Sequence, residues 1–470
     1  MLIANRGEIA LRIARTCKEL GIRTVAVYST EDRDSAVVSY ADEAVRIGPA
    51  SAKHSYLNIP AIVEAALRTG VRAVHPGYGF LSEDPDFARV CRDAGLTFVG
   101  PAAEVIARLG DKIAARALMA ENAIPMLPGS RSPVDSVEDA CEIADSIGFP
   151  LVVKAAAGGG GRGMGVVGDR ADLAAVFSRT QSRAQELFGD ARVFVERYLP
   201  EGRHVEVQVL VDGFGNALHL GERDCSTQRR HQKLIEETPA PGIPEQVRAG
   251  MQEAAVLGAT AAGYRGAATF EFLLAPDGTF AFLEVNCRLQ VEHPVTEMAT
   301  GVDLVREQLL IADGQPLSLH QEDLAARGCS VECRINAEDP ERGFVPTPGT
   351  LAEFDVPGGP FVRVDTHGYP GYRVPSSYDP LLAKLVVWGC SREDALRRMD
   401  RCLADFRISG PGVRTNSAFL REVIGHPAFR AGRYSTAVVD DVFRARENGA
   451  ALASRPPADP ITAERKGSVP

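Results

Sequence analysis

Polar and apolar positions follow two different periods along this chain. LIAN reads as a short apolar strand, EIALRIARTCKEL has apolar residues at helical spacing, and TVAVYS is a second strand. AVHPGYGF and LTFVGP are later strands that run into Gly and Pro. Strands separated by helices predict a parallel, doubly wound sheet. Residue 2 already lies in the first strand, an abrupt start that points to a few missing residues or a misassigned start codon. From about residue 111 the pattern changes. DKIAARALMAENA predicts a helix, and FPLVVKAAA, MGVV, RVFVERYL, HVEVQVLVD and ALHLGERDC predict strands. TFEFLLAPDGTFAFLEVN predicts a hairpin around Pro276-Asp277-Gly278. A third, mixed unit starts near Gln321, contains CSVECRINAED and LAKLVVWG, and ends near residue 445. The Pro-rich polar tail after it reads as disordered.

Three of these segments alternate with period two, which gathers their polar residues on one face. EVNCRLQVEH (284–293) puts Glu284, Asn286, Arg288, Gln290 and Glu292 together. His204, Glu206 and Gln208 alternate with valines, and Ser330, Glu332, Arg334 and Asn336 repeat the theme. A solvated face usually carries Lys, Thr and Ser. These faces carry groups that bind ions and substrates with fixed geometry, so they predict the floor of a cleft. A turn at Ala275–Gly278 would pair Glu271 with Phe282 and Glu284 with Thr269, leaving both acids on one face. With Asn286 they form an all-oxygen cluster suited to Mg²⁺. On a continuous strand, Glu292 would stand roughly 13 Å beyond Arg288. The expected order is metal and phosphate at one end, second substrate at the other.

GGGGRG (158–163) literally fits G-x-G-x-x-G, but a strand follows it where a dinucleotide-binding loop needs a helix. No G-K-[ST] follows either. A glycine run can still fold its backbone N–H groups over phosphates. Lys154, at the end of the preceding apolar strand, adds a phosphate ligand. Gln228-Arg229-Arg230-His231-Gln232-Lys233 reads as a basic loop that serves anions.

The chain has 470 residues, enough for about three domains. Its net charge of −10 argues against a general nucleic-acid or anionic-membrane binder. No apolar run is long enough to span a bilayer, and the N-terminus lacks a signal peptide's apolar core. The nine cysteines form no C-x-x-C pair, so they read as reduced thiols of a cytoplasmic protein rather than a zinc site.

At IANRGEIA, HPGYGFLSE, GGGGRGMG, ERDCSTQRRHQK, EVNCRLQVEHPVTE and ECRINAEDP, the sequence resembles the biotin carboxylase family of the ATP-grasp superfamily. The resemblance runs from residue 2 to about 445. It implies a multidomain α/β and α+β architecture: a Rossmann-like N-terminal domain (1–110), a central ATP-grasp domain (111–320) with a Gly-rich lid subdomain (about 130–200), a C-terminal mixed α/β biotin carboxylase domain (321–445) and a tail (446–470). It implies a ligase that carboxylates carrier-linked biotin at N1, using ATP, Mg²⁺ or Mn²⁺, and bicarbonate, by way of carboxyphosphate.

Carried onto matching positions, Lys112 and Lys154 would hold ATP, with Gly159 and Gly160 in the lid. Glu196, Arg197 and Leu199 would form the adenine hinge, where relatives often carry lysine at the position of Arg197. His204 and His231 would lie near ribose and phosphates, and Gln228 with Lys233 would line the phosphate–bicarbonate region. Glu271, Glu284 and Asn286 would hold metal. Lys233, Arg288, Gln290 and Val291 would bind bicarbonate, Glu292 would be its base, and Arg334 and Tyr78 would face biotin. The family pattern also implies a homodimer with Arg12 near its interface. No M-K-M biotinylation motif occurs, so the biotinylated carrier and the carboxyltransferase would be separate chains. The final acceptor, acetyl-CoA or another, is not written in this domain. A carbamoyl-phosphate-forming ligase and a non-catalytic nucleotide-binding subunit are the alternatives. QRRHQK and ECRINAED speak against the first. The presence of Lys233, Arg288 and Glu292 speaks against the second. Cys225 is the tempting catalytic thiol, but a route with phosphate as the base needs none.

Overall fold

The computed structural model describes residues 1–157 and 163–453, with side chains to residue 446. Gly159, Gly160 and the tail from 454 lie outside the described residues. Leu2–Ile3 (β1), Val25–Ser29 (β2), Glu43–Gly48 (β3), Ala73–His75 (β4) and Thr97–Phe98 (β5) form a parallel sheet in the order β3-β2-β1-β4-β5. The order reverses between β1 and β4, and such switch points open a crevice at the carboxyl ends of the strands. Asn5 Nδ2, just after β1, donates to the carbonyls of Pro76 and Tyr78 after β4, each at 2.7 Å. This bond pair fixes one wall of the cleft described below.

Leu151–Ala155 (β6), Met164–Val167 (β7) and Val193–Arg197 (β8) make a three-stranded antiparallel sheet in the order β7-β6-β8. β6 and β7 pair directly, with Lys154 opposite Met164. The glycine run therefore joins two strands, as its sequel predicts.

Arg203–Val211 (β9), Ala217–Arg229 (β10), Gln232–Thr238 (β11), Gly266–Leu274 (β12), Phe280–Asn286 (β13) and Cys329–Asn336 (β14) belong to one large sheet. With Leu381–Gly389 and Val362–Thr366 at its end, it runs β13-β12-β9-β10-β11-β14-(381–389)-(362–366). Its alternation has the expected cause. Val205, Val207 and Val209 point into a core with Phe270, Phe272, Phe282 and the helix Glu245–Ala261. Each fully buried phenylalanine there contributes about 1.5–3 kcal/mol. The even, polar face lies on the other side, near the helix His293–Thr300, and is buried as well: Glu206 and Gln208 are both 0% exposed.

Four expectations need correction. The β12–β13 hairpin pairs Leu274 with Phe280, one residue out from the expected register, and a bulge at Leu283 then shifts it once more. The slip alone would send Glu284 to the far face. The bulge restores it directly opposite Glu271. Second, the strand expected over 284–293 ends at Asn286, and Glu292 is the residue before the helix His293–Thr300. Third, the long strands of the unit starting near Gln321 do not stand apart, because β14 pairs with β11 and extends the central sheet, while only short two-stranded ladders between 338 and 409 are confined to the unit. Fourth, the chain does not become irregular at 446, since the helix Val438–Ala453 carries through.

Candidate functional site

Every candidate residue the structure describes lines one cleft of about 1740 Å³. Its floor is built by cross-strand register. Glu284 on β13 faces Glu271 on β12, Glu271 faces Glu206 on β9, and Glu206 faces Arg223 on β10. Three carboxylates on adjacent strands repel unless each has a cation. Lys112, at the start of the helix Lys112–Glu121, pairs with Glu284. Lys233 Nζ donates to Glu206 Oε2 at 2.6 Å, Glu271 Oε1 at 3.1 Å and Glu292 Oε1 at 2.6 Å. Arg223, wholly buried, donates from Nε to Glu206 Oε1 at 2.6 Å and spends its other nitrogens on Gln208, Thr296 and Thr269. Against the cost of burial, Lys233 and His204 hold the Glu271 carboxyl well below the usual range. His204 Nε2 approaches Glu271 Oε2 to 2.8 Å, without hydrogen-bond alignment.

Glu292 is reached from two sides. Lys233 holds one oxygen, and Arg334 Nη2 donates to the other at 2.8 Å. Burial opposes its charge, but Lys233, Arg334 and Arg223 together keep it ionised well below the usual carboxylate range. The linear order expected along 284–293 is therefore wrong. Because the chain turns after Asn286, Glu292 folds back to share one ammonium with Glu271. Arg288 stands over this turn, donating to Glu83 at 2.7 Å, Gln290 at 2.9 Å and Asn286 Oδ1 at 3.0 Å. Lys384 holds the Val291 carbonyl at 3.0 Å and pairs with Glu8 at 3.1 Å. Tyr78 also donates to Glu8.

At the other end, Lys154 pairs with Glu196, its diagonal neighbour on β8. Arg116 Nη1 takes the second Glu196 oxygen at 2.7 Å. Arg197, whose guanidinium donates to the Ile147 carbonyl, and Leu199 follow on the same wall. The basic segment is a two-residue hairpin turn rather than an open loop. Arg230 and His231 sit at its corners with φ of +48° and +65°, a conformation L residues adopt at a cost. This turn carries Gln228 and Lys233 as a register pair. Burial, Lys154 and His204 lower the His231 pKa.

Glu271 and Glu284 offer paired oxygens that fit a hard divalent cation. Asn286 gives its nitrogen to Glu271 at 2.9 Å and its oxygen to Arg288. It would join a cation only by leaving Arg288.

Models of known families cover nearly all the chain. Residues 1–106 match the biotin carboxylase N-terminal domain, 111–320 the ATP-binding domain of the carbamoyl-phosphate synthase L chain, and 332–441 the biotin carboxylase C-terminal domain. Biotin carboxylase from Pseudomonas aeruginosa is 53% identical over 92% of this chain and 96% of its own length. The chain belongs to the biotin carboxylase family. Biotin carboxylase 1 of Bacillus subtilis is 48% identical, over 93% of this chain and 97% of its own. Among solved structures, a Campylobacter jejuni biotin carboxylase–β,γ-ATP complex matches with a TM-score of 0.91 and 44% identity, covering 94% of this chain and 98% of that one. The biotin carboxylase domain dimer of Hydrogenobacter thermophilus 2-oxoglutarate carboxylase, with MgADP, ADP and bicarbonate, gives the same TM-score, identity and coverages. As a biotin carboxylase family member the chain is an ATP-grasp ligase, and the family uses ATP, Mg²⁺ and biotin. Among the described residues no helix is long and apolar enough to cross a membrane.

Several residues of this biotin carboxylase site escaped the residue-by-residue reading. Glu206 was read only as one member of a polar strand face, without a role of its own. Arg223 and Glu83 lay inside quoted strings, but nothing local tells that Arg223 faces Glu206 or that Glu83 meets Arg288. Glu236, Glu8, Lys384 and Arg116 carried no signal beyond being charged within apolar strands or helices.

Proposed function

We propose that this cleft carboxylates carrier-linked biotin with bicarbonate and ATP, and that Glu292 is the base that activates bicarbonate. The observation that carries the reading is Glu292 itself: a wholly buried carboxylate, kept ionised by Lys233 and Arg334, beside Arg288. An ionised base is what a weak nucleophile such as bicarbonate needs as it attacks the γ-phosphate. Arg288 and Gln290 bind and orient the anion, and Lys384 fixes the Val291 backbone beside them. Lys112 and Lys154 neutralise phosphate charge, releasing Glu284 and Glu196 in exchange. Glu271 and Glu284 would hold Mg²⁺, and Asn286, now bonded to Arg288, would be a further oxygen ligand. When bound, the metal offsets the charge that develops during phosphoryl transfer.

Lys233 ties Glu271 to Glu292, so nucleotide and bicarbonate report to one ammonium. Arg334, freed as Glu292 takes a proton, turns to the ureido oxygen of biotin near Tyr78 and stabilises the anion formed at N1. Glu196, Arg197 and Leu199 form the adenine hinge, while His204, Gln228 and His231 sit along ribose and phosphates. Arg12, expected near a dimer interface, is spent within the chain on Glu297 and Asp303 at 2.9 and 2.8 Å. The dimer named for the Hydrogenobacter relative supports a homodimer. A separate biotinylated carrier, a separate carboxyltransferase and a cytoplasmic setting complete the reading. ADP release by the purified chain should depend on both bicarbonate and added biotin. Release independent of both would falsify the assignment.

A further inference from the structure

Behind Arg334 the sheet carries a carboxyl pair that none of these steps uses. Glu236 on β11 and Glu332 on β14 are direct register partners, and both are 0% exposed. Glu236 Oε1 accepts from Arg334 Nε at 2.6 Å, whereas its Oε2 has no partner. Neither oxygen of Glu332 accepts a hydrogen bond among the described residues. Directly paired residues place their Cβ atoms about 4.5–5.5 Å apart. Two carboxylates at that spacing, away from water, do not both ionise.

Among the described residues no second cation bonds the pair: Lys233, on Glu236's own strand, acts on it only from a distance and is spent on Glu206, Glu271 and Glu292, and the Cys225 thiol nearby is neutral. On the next strand, Glu332 faces Val386, and Lys384 faces Arg334. Lys384 is already held by Glu8 and the Val291 carbonyl. The helix His293–Thr300 packs on β14 and brings His293 and Glu297, with Glu292 at its start. Glu297 is paired with Arg12 and Arg363. Burial, with Lys384, Arg12 and Arg363 nearby, keeps His293 neutral. The opposite face of β14 meets the helices Arg392–Asp405 and Ser417–Gly425 through apolar side chains such as Leu396, Met399 and Phe419.

We propose that Glu236 and Glu332 hold one proton between them, with Glu332 as the neutral acid, and that this shared proton positions Arg334 toward Glu292 for the bicarbonate step. The positioning half rests on the function proposed above; the proton itself does not. Arg334 spans Glu236 and Glu292, with one bond to each. Losing the shared proton to water leaves a second negative charge behind the guanidinium. That charge draws Arg334 back from Glu292 and raises the proton affinity of Glu292. Burial, Glu236 and the more distant Glu292 push Glu332 well above the usual range, with Lys384 and Arg334 opposing. Burial, opposed by Arg334 and Lys233 and reinforced by Glu292, raises Glu236 above the usual carboxylate range.

Infrared spectra of the ¹³C-glutamate-labelled full chain test the proton. Subtracting Glu332→Gln from wild type at neutral pH should reveal a protonated-carboxyl C=O band, and its absence overturns the shared proton. The pH profile of kcat/KM for bicarbonate tests the positioning. The glutamine side chain in Glu332→Gln cannot ionise, yet its amide can still donate to Glu236. Turnover at neutral pH should stay within about threefold, and the alkaline fall should move up by about one pH unit or more. An unmoved alkaline limb overturns the positioning role even if the band is present. If the variant does not fold, wild type alone decides. The pH at which a protonated-carboxyl band disappears must coincide with the alkaline fall in bicarbonate-dependent turnover, while ATP affinity stays flat. Failure to coincide overturns the proposal. A chain that shows the band but no bicarbonate-dependent turnover at any pH would sink the proposed function and leave the shared proton standing.

Discussion

The same sheet buries acids in two ways. Glu284, Glu271 and Glu206 lie side by side on three strands, and each meets a cation: Lys112, Lys233 and Arg223. A few strands away, Glu236 and Glu332 also lie side by side, but Arg334 bonds only Glu236 among the two. Glu271, in the middle of the row, stays ionised, whereas the pair keeps a proton. Buried carboxyls such as Glu271 and Glu332 thus reach opposite charge states, and the number of matched cations decides which. Ionised acids can hold a metal or accept a proton. A neutral acid can do neither, but it leaves the neighbouring arginine free to serve another group. Glu292 sits at the junction, held by Lys233 from the row and by Arg334 from the pair.

Removing that junction should have the largest effect. Glu292→Gln keeps the shape and deletes the base, so bicarbonate-dependent ADP release should fall about 10²–10⁴-fold while ATP affinity changes little. A parallel loss of ATP binding would mean that Glu292 holds the nucleotide site together instead. Glu284→Gln provides the contrast, since it should weaken metal-dependent nucleotide binding first.

The row can be turned into something like the pair by removing one cation. Arg223→Met leaves Glu206 with Lys233 alone and should destabilise the chain by about 3–5 kcal/mol, read from denaturant unfolding. A loss below about 1 kcal/mol would show that Lys233 suffices for three carboxylates, and the cation-counting rule would fail.

How much of this was legible in the sequence follows from the range of each interaction. Period-two alternation is local, so the polar faces of 204–209 and 330–336 were readable, as was the glycine run between two strands. The acid pair on β12 and β13 came out on one face for a reason the sequence did not expose. A register slip and a bulge at Leu283 cancel: the slip comes from the turn, which closes on Ala275 and Thr279 with Gly278 at φ +86°, whereas the bulge lies beyond it in the ladder. The break after Asn286 was missed because EVNCRLQVEH keeps its alternation through the turn. The β11–β14 pairing joins segments far apart in the chain, with three α-helices and a hairpin between them. No local pattern announces it, and so the Glu236–Glu332 pair was invisible. Residue roles came from the family strings; the partners of those residues came from the fold.

pH separates the two regions with opposite signs. Glu271 and Glu292 have depressed pKa values, so the stability they give is present above the unfolded value of about 4.3 and is lost as pH falls below it. Glu236 and Glu332 are raised. The folded chain therefore binds more protons than the unfolded one between about 4.3 and the folded values, and stability falls as pH rises through that window. Urea midpoints of wild type should show both slopes. In Glu332→Gln the second slope should flatten while the acid-side slope stays. Unchanged slopes on both sides would place the proton elsewhere.

The smallest effect is expected at Cys225, which lies between the two regions. Its thiol is wholly buried, and Sγ is 4.0 Å from Glu292 Oε1. A thiol so close to the base invites a catalytic role, but a nucleophile or proton relay needs a reachable thiolate. Burial first, and then the charge of Glu206, push this thiol well above its ordinary value, with Lys233 opposing and Glu292 and Glu236 adding to the rise. Burial and the carboxylates of the site therefore keep the thiol neutral. Cys225→Ala removes one small packing atom, at a cost of about 1 kcal/mol. Its kcat/KM for bicarbonate should stay within a few-fold of wild type, with the same pH profile. A loss approaching that of Glu292→Gln would mean that the thiol carries the proton, and the junction between row and pair would then be Cys225 rather than Glu292.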